Sequence, residues 1–288
     1  MSVAPVSRTV LVTGCSSGIG LATAEMLRTR GWTVFPTARK AEDLDALKSA
    51  GFDPIEMDVA DAASVEAGVA TLLSRTDGTL GALVNNAGFG QAGAIEDLSR
   101  DAMRYQFEVN VFGVQQLIHL TMPVFRKQGA GRIVNVSSVV GRISLPFLGA
   151  YSASKFALEA MSDSMRVELD GTGVSVSLVE PGPIITAFRN NALDKMDGNV
   201  NTESSRFGDM FKHEMARRRD KVKQVSFINK PPEAVATKIV HALESAHPRK
   251  RYCITPPAYA GAFLRRFAPY AFIDYVFKQR LRKRGETP

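Results

Sequence analysis

The sequence predicts an α/β fold in which a parallel sheet carries helices on both faces, and three observations support it. Short β-branched runs alternate with helix-period segments from Arg8 to Thr255. Such repeated strand–helix–strand units, joined by right-handed crossovers, build a doubly wound sheet. The first run ends in a glycine-rich turn that opens directly into a helix pattern. The chain's 288 residues, 45% of them hydrophobic, are enough for one large core.

Composition removes several classes of function. Charged residues are 23% of the chain, too few for wholesale disorder. Cys15 and Cys253 form neither a disulfide framework nor a metal-ligand set. His119, His213, His241 and His247 make no ligand cluster, so no metal is expected. The stretch from Met1 to Arg8 lacks the charged and apolar regions of a signal peptide. No run of about 18 apolar residues could span a bilayer, and the expected location is cytoplasmic. The net charge of +7 is concentrated: between Pro257 and Arg284 seven Lys and Arg face one acid, Asp274. No reader motif accompanies that charge, so no nucleic-acid partner is expected.

Arg8 to Thr13 reads as a buried first strand. It leads into Gly14-Cys15-Ser16-Ser17-Gly18-Ile19-Gly20 and a helix pattern to Gly31. Strand, glycine turn and helix start make a phosphate cradle, because bare N–H groups and the helix dipole both favour an anion there. Trp32 to Thr37 is a second strand. NAD-binding folds place an acid at its end for the ribose 2′-hydroxyl. Here Arg39 stands instead, a planar fork suited to a 2′-phosphate, which argues for NADP(H); the plainer reading is a solvated Arg-Lys pair. Pro54 to Val59 is a third strand, with Asp58 and Val59 placed to meet adenine, unless Asp58 is simply a cap. Gly81 to Gly88 holds the fourth strand and the exit loop Asn85-Asn86-Ala87-Gly88.

A long helix is predicted from Ser99 to about Lys127, with a local break near Asn110 and Gly113, both poor mid-helix residues. Such a break would present the Asn110 carbonyl to a water. Arg132 to Ser138 is a fifth strand ending in hydroxyls, and Gly173 to Glu180 a sixth, ended by Pro181-Gly182-Pro183-Ile184-Ile185-Thr186. Residues 187–230 carry no steady period and read as a flap over an apolar substrate. A helix from Pro231 to Ser245 and a last strand, Arg251 to Thr255, close the domain at about residue 256. Beyond it, 257–288 read as a basic amphipathic extension. Pro269 is expected to start a helix with Tyr270, Ile273, Phe277 and Leu281 on one face and Lys278, Arg280, Arg282, Lys283 and Arg284 near its end. That helix could lie on an anionic membrane surface, or dock on its own domain or a partner subunit.

Tyr151 and Lys155 lie four apart in a helix pattern that runs to about Asp170, so they share a face. A nearby ammonium favours the phenolate, and acid–base work near neutrality would need a shift of roughly 3 units. Ser138 precedes Tyr151 by thirteen residues, enough to bring both hydroxyls to one carbonyl.

Together these residues identify a family resemblance. Thr13-Gly14-x-x-x-Gly18-x-Gly20, Asn85-Asn86-Ala87-Gly88, Asn110, Ser138, Tyr151-x-x-x-Lys155 and Pro181-Gly182 stand in the order and near the spacing of the short-chain dehydrogenases/reductases. The resemblance covers about residues 8–256 and is nearest, at Thr13 to Gly20 and Tyr151 to Glu159, to the 17β-hydroxysteroid and retinol dehydrogenase branch. It implies a Rossmann-type seven-stranded parallel sheet of order 3-2-1-4-5-6-7. It implies that Gly14, Gly18 and Gly20 face a pyrophosphate, with Ile19 between them. Arg39 with Ser16 or Ser17 would take the 2′-phosphate, Asp58 and Val59 would line adenine, and Asn86 with Ala87 and Gly88 the adjoining ribose. Tyr151 and Lys155 would bond the nicotinamide ribose, and Pro181, Gly182, Ile184 and Thr186 the carboxamide side. The implied catalytic set is Asn110, Ser138, Tyr151 and Lys155, in a homo-dimer or tetramer. Lys155 would lower the Tyr151 pKa, and Asn110 would hold a water joining Lys155 to solvent.

The expected activity is hydride transfer between NADP(H) and an apolar ketone or aldehyde, or the matching alcohol, of steroid, retinoid or lipid-like kind. Ile143, Leu145, Pro146, Phe147, Leu148, Phe188 and Leu193 would supply the walls, unless they pack at an oligomer interface. A non-catalytic nucleotide-binding module on the same fold would be expected to lose part of the Ser/Tyr/Lys set, and all three residues are present. Epimerisation or dehydration on the same scaffold would show little net NADPH consumption.

Overall fold

The computed structural model describes residues 7–188, 191–192, 198–201, 203–211 and 226–282. The first strand, β1 (Thr9–Val12), is followed by α1 (Gly18–Thr29), β2 (Thr33–Ala38), α2 (Ala41–Ser49), β3 (Ile55–Glu56), α3 (Ala62–Arg75) and β4 (Ala82–Asn85). The second half runs α4 (Arg100–Phe107), α5 (Gly113–Gln128), β5 (Gly131–Val136), α6 (Gly149–Glu168), β6 (Val174–Glu180), α7 (Glu233–Glu244), β7 (Arg251–Cys253), α8 (Pro256–Phe267) and α9 (Tyr270–Arg282). The strands form one sheet in the order β3-β2-β1-β4-β5-β6-β7, and every pairing is parallel. This is the predicted topology.

Strand alternation sends successive side chains to opposite faces. Val10 and Val12 of β1 join the core layer made with Leu27 of α1 and Ile239 and Leu243 of α7. Leu11 between them joins the other layer, with Leu72 of α3 and Leu117 and Phe125 of α5. With both faces covered, the strands read as continuous apolar runs. The ligand edge of such a sheet is the one where the strands end, and the order reverses between β1 and β4.

One local feature follows the predictions and two depart from them. The long helix is broken by a π-turn at Glu108–Phe112, between α4 and α5, where Asn110 and Gly113 suggested a break. The third strand is shorter than expected, because Asp58 turns the chain: its Oδ1 accepts from the Ala60 N–H at 3.0 Å. Asp61 then caps α3, accepting from Ala63 at 2.9 Å. The second departure is α8, which was not predicted. It starts on Pro256 and Pro257, residues suited to a first helical turn.

The C-terminal helix α9 forms as expected, but its apolar stripe faces inward. Ile273 is buried and Phe277 and Leu281 are half-buried, while Tyr270 is exposed. Lys283, Arg284, His213, Leu193 and Met196 lie outside the described residues. Among the described residues no helix is long and apolar enough to cross a membrane, and no group of His, Cys, Asp and Glu could hold a metal.

Candidate active site

The glycine turn is shaped by its neighbours before any ligand is considered. Gly14 has φ +71° and lies so close to the loop after β4 that a Cβ there would sit 2.8 Å from the Ala87 Cα. A Cβ on Gly20 would meet the Gly14 carbonyl oxygen at 2.2 Å, so α1 starts against the turn with no room for a side chain. Thr13 and Asn86 lock the arrangement. The Thr13 hydroxyl accepts from the Asn86 and Ala87 N–H groups, each at 3.0 Å. The Asn86 amide donates to the carbonyls of Thr13 at 2.8 Å and Gly14 at 3.0 Å. Asn86 therefore shapes the cradle with its amide.

This cradle fits a dinucleotide. Ser17 stands at the N-cap of α1 in extended conformation but makes no side-chain cap bond, and no acid occupies the first turn. The first N–H groups of α1 thus have no side-chain acceptor supplied by the cap. Ser16 and Ser17 are exposed beside them. On the far side, the loop after β6 comes within reach: a Cβ on Gly18 would lie 3.0 Å from Thr186 Cγ2. Ile184 is fixed there by a bridge to Lys230. Arg39, at the end of β2, is exposed, stands 3.9 Å from Asp58 Oδ2 and donates to the Tyr105 hydroxyl at 3.3 Å. The structure brings Arg39 and Asp58 together and leaves the guanidinium open to the rim. Val59 is buried in the core layer beneath.

The reacting groups come from β5 and α6. Ser138 follows β5, its Oγ accepting from the Val140 N–H at 3.3 Å. Tyr151 and Lys155 are buried on one face of α6. Burial dominates at the Tyr151 phenol and pushes its pKa up to about 12, while the neighbouring Ser138 hydroxyl holds it back in part. The Lys155 ammonium donates to the Val136 carbonyl at 2.8 Å and lies 5.9 Å from the centre of the Tyr151 ring. Burial draws Lys155 down to about 8, opposed by the charge of Glu159. The expectation of a Tyr151 pKa lowered toward neutrality is therefore corrected for this structure. Desolvation of the phenol outweighs every stabilising contact, so Tyr151 is a protonated acid.

Asn110 sits in the π-turn with its side chain fully engaged. Its Oδ1 accepts from the Phe89 N–H at 3.1 Å. Its Nδ2 donates to the Phe89 carbonyl at 3.0 Å and the Ser154 hydroxyl at 3.1 Å. Asn110 thus ties the loop after β4 to α6. Gly88 lies between Asn110 and Lys155, and a Cβ there would be 3.1 Å from Asn110 Oδ1 and 3.8 Å from Lys155 Nζ. At the end of β6, Pro181 accepts from the Val139 N–H at 2.8 Å and the Ser138 hydroxyl at 3.5 Å. Gly182 packs against Thr255.

Beneath these groups lies a buried ionic network that the sequence reading missed. Tyr151, Lys155, Glu159 and Asp163 recur every four residues along α6. Arg251 of β7 pairs with Glu159, with Asp163 and, at 2.7 Å, with Glu180 at the end of β6. Arg142, four residues after Ser138, pairs with the same Glu180 at 3.0 Å. Burial and the neighbouring Glu180 charge raise the Glu159 carboxyl, while Arg251 pulls it back. The Glu159 position, one turn beyond Lys155, was the available sequence signal.

Above the site lies an apolar cluster separate from both core layers. Phe147 packs edge-on against Phe207 and Phe211, with ring centres 5.2 and 5.5 Å apart. Ala92, Ala94 and Val200 complete it. Phe147 has φ +63°, an uncommon conformation for a bulky residue. Phe188 lies against Tyr151, ring centres 5.4 Å apart. Ile143 is buried, and Leu148 packs against the cluster.

Comparison with known proteins agrees with this geometry. The family model described as "short chain dehydrogenase" matches residues 8–197. An uncharacterized oxidoreductase, YbbO, of Escherichia coli K12 is 38% identical over 94% of each chain. An NADPH-dependent 3-dehydrocapnine reductase of Ornithobacterium rhinotracheale is 34% identical over 96% of this chain and 98% of its own. Human 17-beta-hydroxysteroid dehydrogenase type 1 is 33% identical over 85% of this chain and 77% of its own.

Proposed function

Because this chain belongs to the short-chain dehydrogenase family, we propose that it is an NADP(H)-dependent oxidoreductase that reduces an apolar ketone or aldehyde, or oxidises the matching alcohol. The observation that carries the reading is the buried Tyr151 phenol, beside the Ser138 hydroxyl and with the Lys155 ammonium 5.9 Å from its ring centre.

Arg39, Ser16 and Ser17 would hold the 2′-phosphate, the start of α1 the pyrophosphate, and Asp58 and Val59 the adenine side. Pro181, Gly182, Ile184 and Thr186 would border the nicotinamide, and Tyr151 and Lys155 its ribose. When bound, the nicotinamide supplies or accepts the hydride. Tyr151, kept protonated by burial, gives its proton to the carbonyl oxygen. Ser138 donates a hydrogen bond to that oxygen, where charge gathers. The Lys155 charge favours the phenolate that remains. The Asn110 carbonyl, in the π-turn, would hold a water that returns a proton through Lys155.

The NADPH-dependent relative supports the cofactor choice, and the steroid-named relative and the Phe147 cluster support an apolar substrate. The exposed Phe112 at the π-turn and Val167 on α6 support a homo-oligomer joined through these helices. A paired assay with NADPH and NADH over steroids, retinoids and aryl ketones tests the reading. Absence of NADPH oxidation across the panel would refute it. Arg39→Ala should raise the NADPH KM about tenfold, the loss of one charge-assisted phosphate contact, and leave the NADH KM unchanged. Equal effects on both cofactors would remove the 2′-phosphate assignment.

A further inference from the structure

The two C-terminal helices turn an aromatic, basic face to solvent. Seven aromatic residues fall within residues 256–282, against 8% aromatic residues over the chain. Tyr259, Phe263 and Phe267 recur every four residues on α8 and are 59%, 63% and 65% exposed, so they form one stripe. The Phe263 and Phe267 rings touch, with centres 4.9 Å apart. On α9, Tyr270, Phe272, Tyr275 and Val276 are also exposed. A monomeric surface rarely carries so many unpaired rings without using them.

The inner side of the same elements is firmly seated. Ala258 and Gly261 of α8 are buried. A Cβ on Gly261 would lie 2.8 Å from Val139 Cγ2 and 3.2 Å from Ile143 Cγ2. Thus α8 rests directly on the turn that follows Ser138. The exposed stripe is not a loose tail but the outer face of a helix packed against the site.

Charge selects the occupant. Residues 256–282 contain Arg265, Arg266, Lys278, Arg280 and Arg282, and Asp274 is their single acid. The Arg265 guanidinium lies 5.0 Å from the centre of the Tyr270 ring, and the Arg266 guanidinium 5.7 Å from that of Phe267. Two copies meeting face to face would set the exposed Arg265, Arg266, Lys278 and Arg282 of one against those of the other. An anionic lipid surface matches both components: rings enter the headgroup boundary, and cations meet the lipid charge.

We propose that the outer faces of α8 and α9 seat the protein on anionic lipid, with the helix that contacts the bilayer also bearing on the catalytic serine turn. Its use in reaching a membrane-dissolved substrate rests on the apolar-substrate reading above, but the binding itself does not. The experiment is co-sedimentation of the full chain with phosphatidylcholine vesicles, with and without phosphatidylglycerol. Binding should require phosphatidylglycerol and weaken with salt. Phe263→Glu combined with Phe267→Glu should lower the bound fraction about tenfold, with NADPH oxidation on a water-soluble ketone unchanged. Failure of the native protein to sediment, or undiminished binding by the double variant, would overturn the proposal. A double variant that dissociates an oligomer, with no native vesicle binding, would assign the face to a second copy instead. Vesicle binding without turnover on any ketone would defeat the proposed activity and leave this inference standing.

Discussion

Ser138, Tyr151 and Lys155 stand on a floor cross-linked by directional bonds, whereas above them Phe147, Phe207 and Phe211 are held largely by one another's rings and Phe188 lies against the Tyr151 ring. In the floor Lys155 is bonded to Val136, Asn110 to Phe89 and Ser154, and Arg251 to Glu159, Asp163 and Glu180. Among the described residues the cover has few such bonds, chiefly Asn199 to Gln91 at 2.7 Å and Ser205 to Asp97 at 2.7 Å. Proton transfer demands fixed distances, so the chemistry sits where hydrogen bonds and ion pairs set them. An apolar substrate demands shape and dryness, which ring packing supplies with less commitment to one geometry. If this division holds, changes in the floor should strike turnover or stability, and changes in the cover should strike substrate affinity.

The sharpest break is Tyr151→Phe. It removes the buried acid while keeping the ring that meets Phe188, so the fold should persist and kcat should fall by at least ~10². Steady-state kinetics with circular dichroism of the same sample check both halves. Near-normal turnover would end the assignment of Tyr151.

Next in size is Arg251→Met, which empties the floor of the cation shared by three carboxylates. Glu159 and Glu180 would stay buried with Arg142 as their remaining salt-bridge partner and the Lys155 charge near Glu159. Stripping one partner from a buried ion pair destabilises by about 3 kcal/mol, which should appear as a lower urea midpoint. Because Glu159 and Lys155 share a helical stripe, kcat should fall as well. An unchanged midpoint would show that the network is ornamental and that the floor owes its rigidity to packing.

A pH series separates the two titrating groups. Tyr151, raised to about 12, keeps its proton throughout the working range. Lys155, lowered to about 8, is charged below that pH and neutral above it. Reduction should therefore decline as pH rises through about 8, by loss of the Lys155 charge and not of the tyrosine proton. Lys155→Arg, which stays charged, should abolish this limb. For stability the sign is reversed. From about 8 to the ordinary value of 10.5 the unfolded chain binds more protons at this lysine than the native one. The contribution of Lys155 to stability therefore rises with pH across that window.

The same division explains what could be read from the sequence. The strands, the glycine turn and the Ser138, Tyr151 and Lys155 set depend on residues close in the chain or on strand ends, and each leaves a local pattern. The π-turn was foreshadowed because Asn110 and Gly113 both weaken a helix where they stand. By contrast, Arg251 meets Glu159 across 92 positions and Glu180 across 71, and no periodicity encodes such a meeting. The raised Tyr151 pKa was also beyond sequence reasoning. Spacing on α6 shows that an ammonium is near the phenol, but not that it is turned to the Val136 carbonyl, nor how dry the pocket is. In α8, outward aromatics and inward small residues, Ala258 and Gly261, invert the usual apolar-in pattern by which a helix announces its buried face.

The smallest effect belongs to the cover. Phe188 is exposed, touches the Tyr151 ring and lies over Gly90, where a Cβ would be 3.1 Å from its Cζ. It makes no side-chain hydrogen bond, so Phe188→Ala removes one wall and leaves the proton path whole. An aromatic contact of this kind is worth about 1 kcal/mol, which corresponds to a roughly fivefold rise in KM for a bulky ketone with kcat nearly constant. A small ketone that never reaches the ring should show no rise, so the ratio of the two KM changes isolates the wall. A fall in kcat of the same size for both ketones would mean that Phe188 orients Tyr151, and the boundary between floor and cover would then run above Phe188 instead of below it.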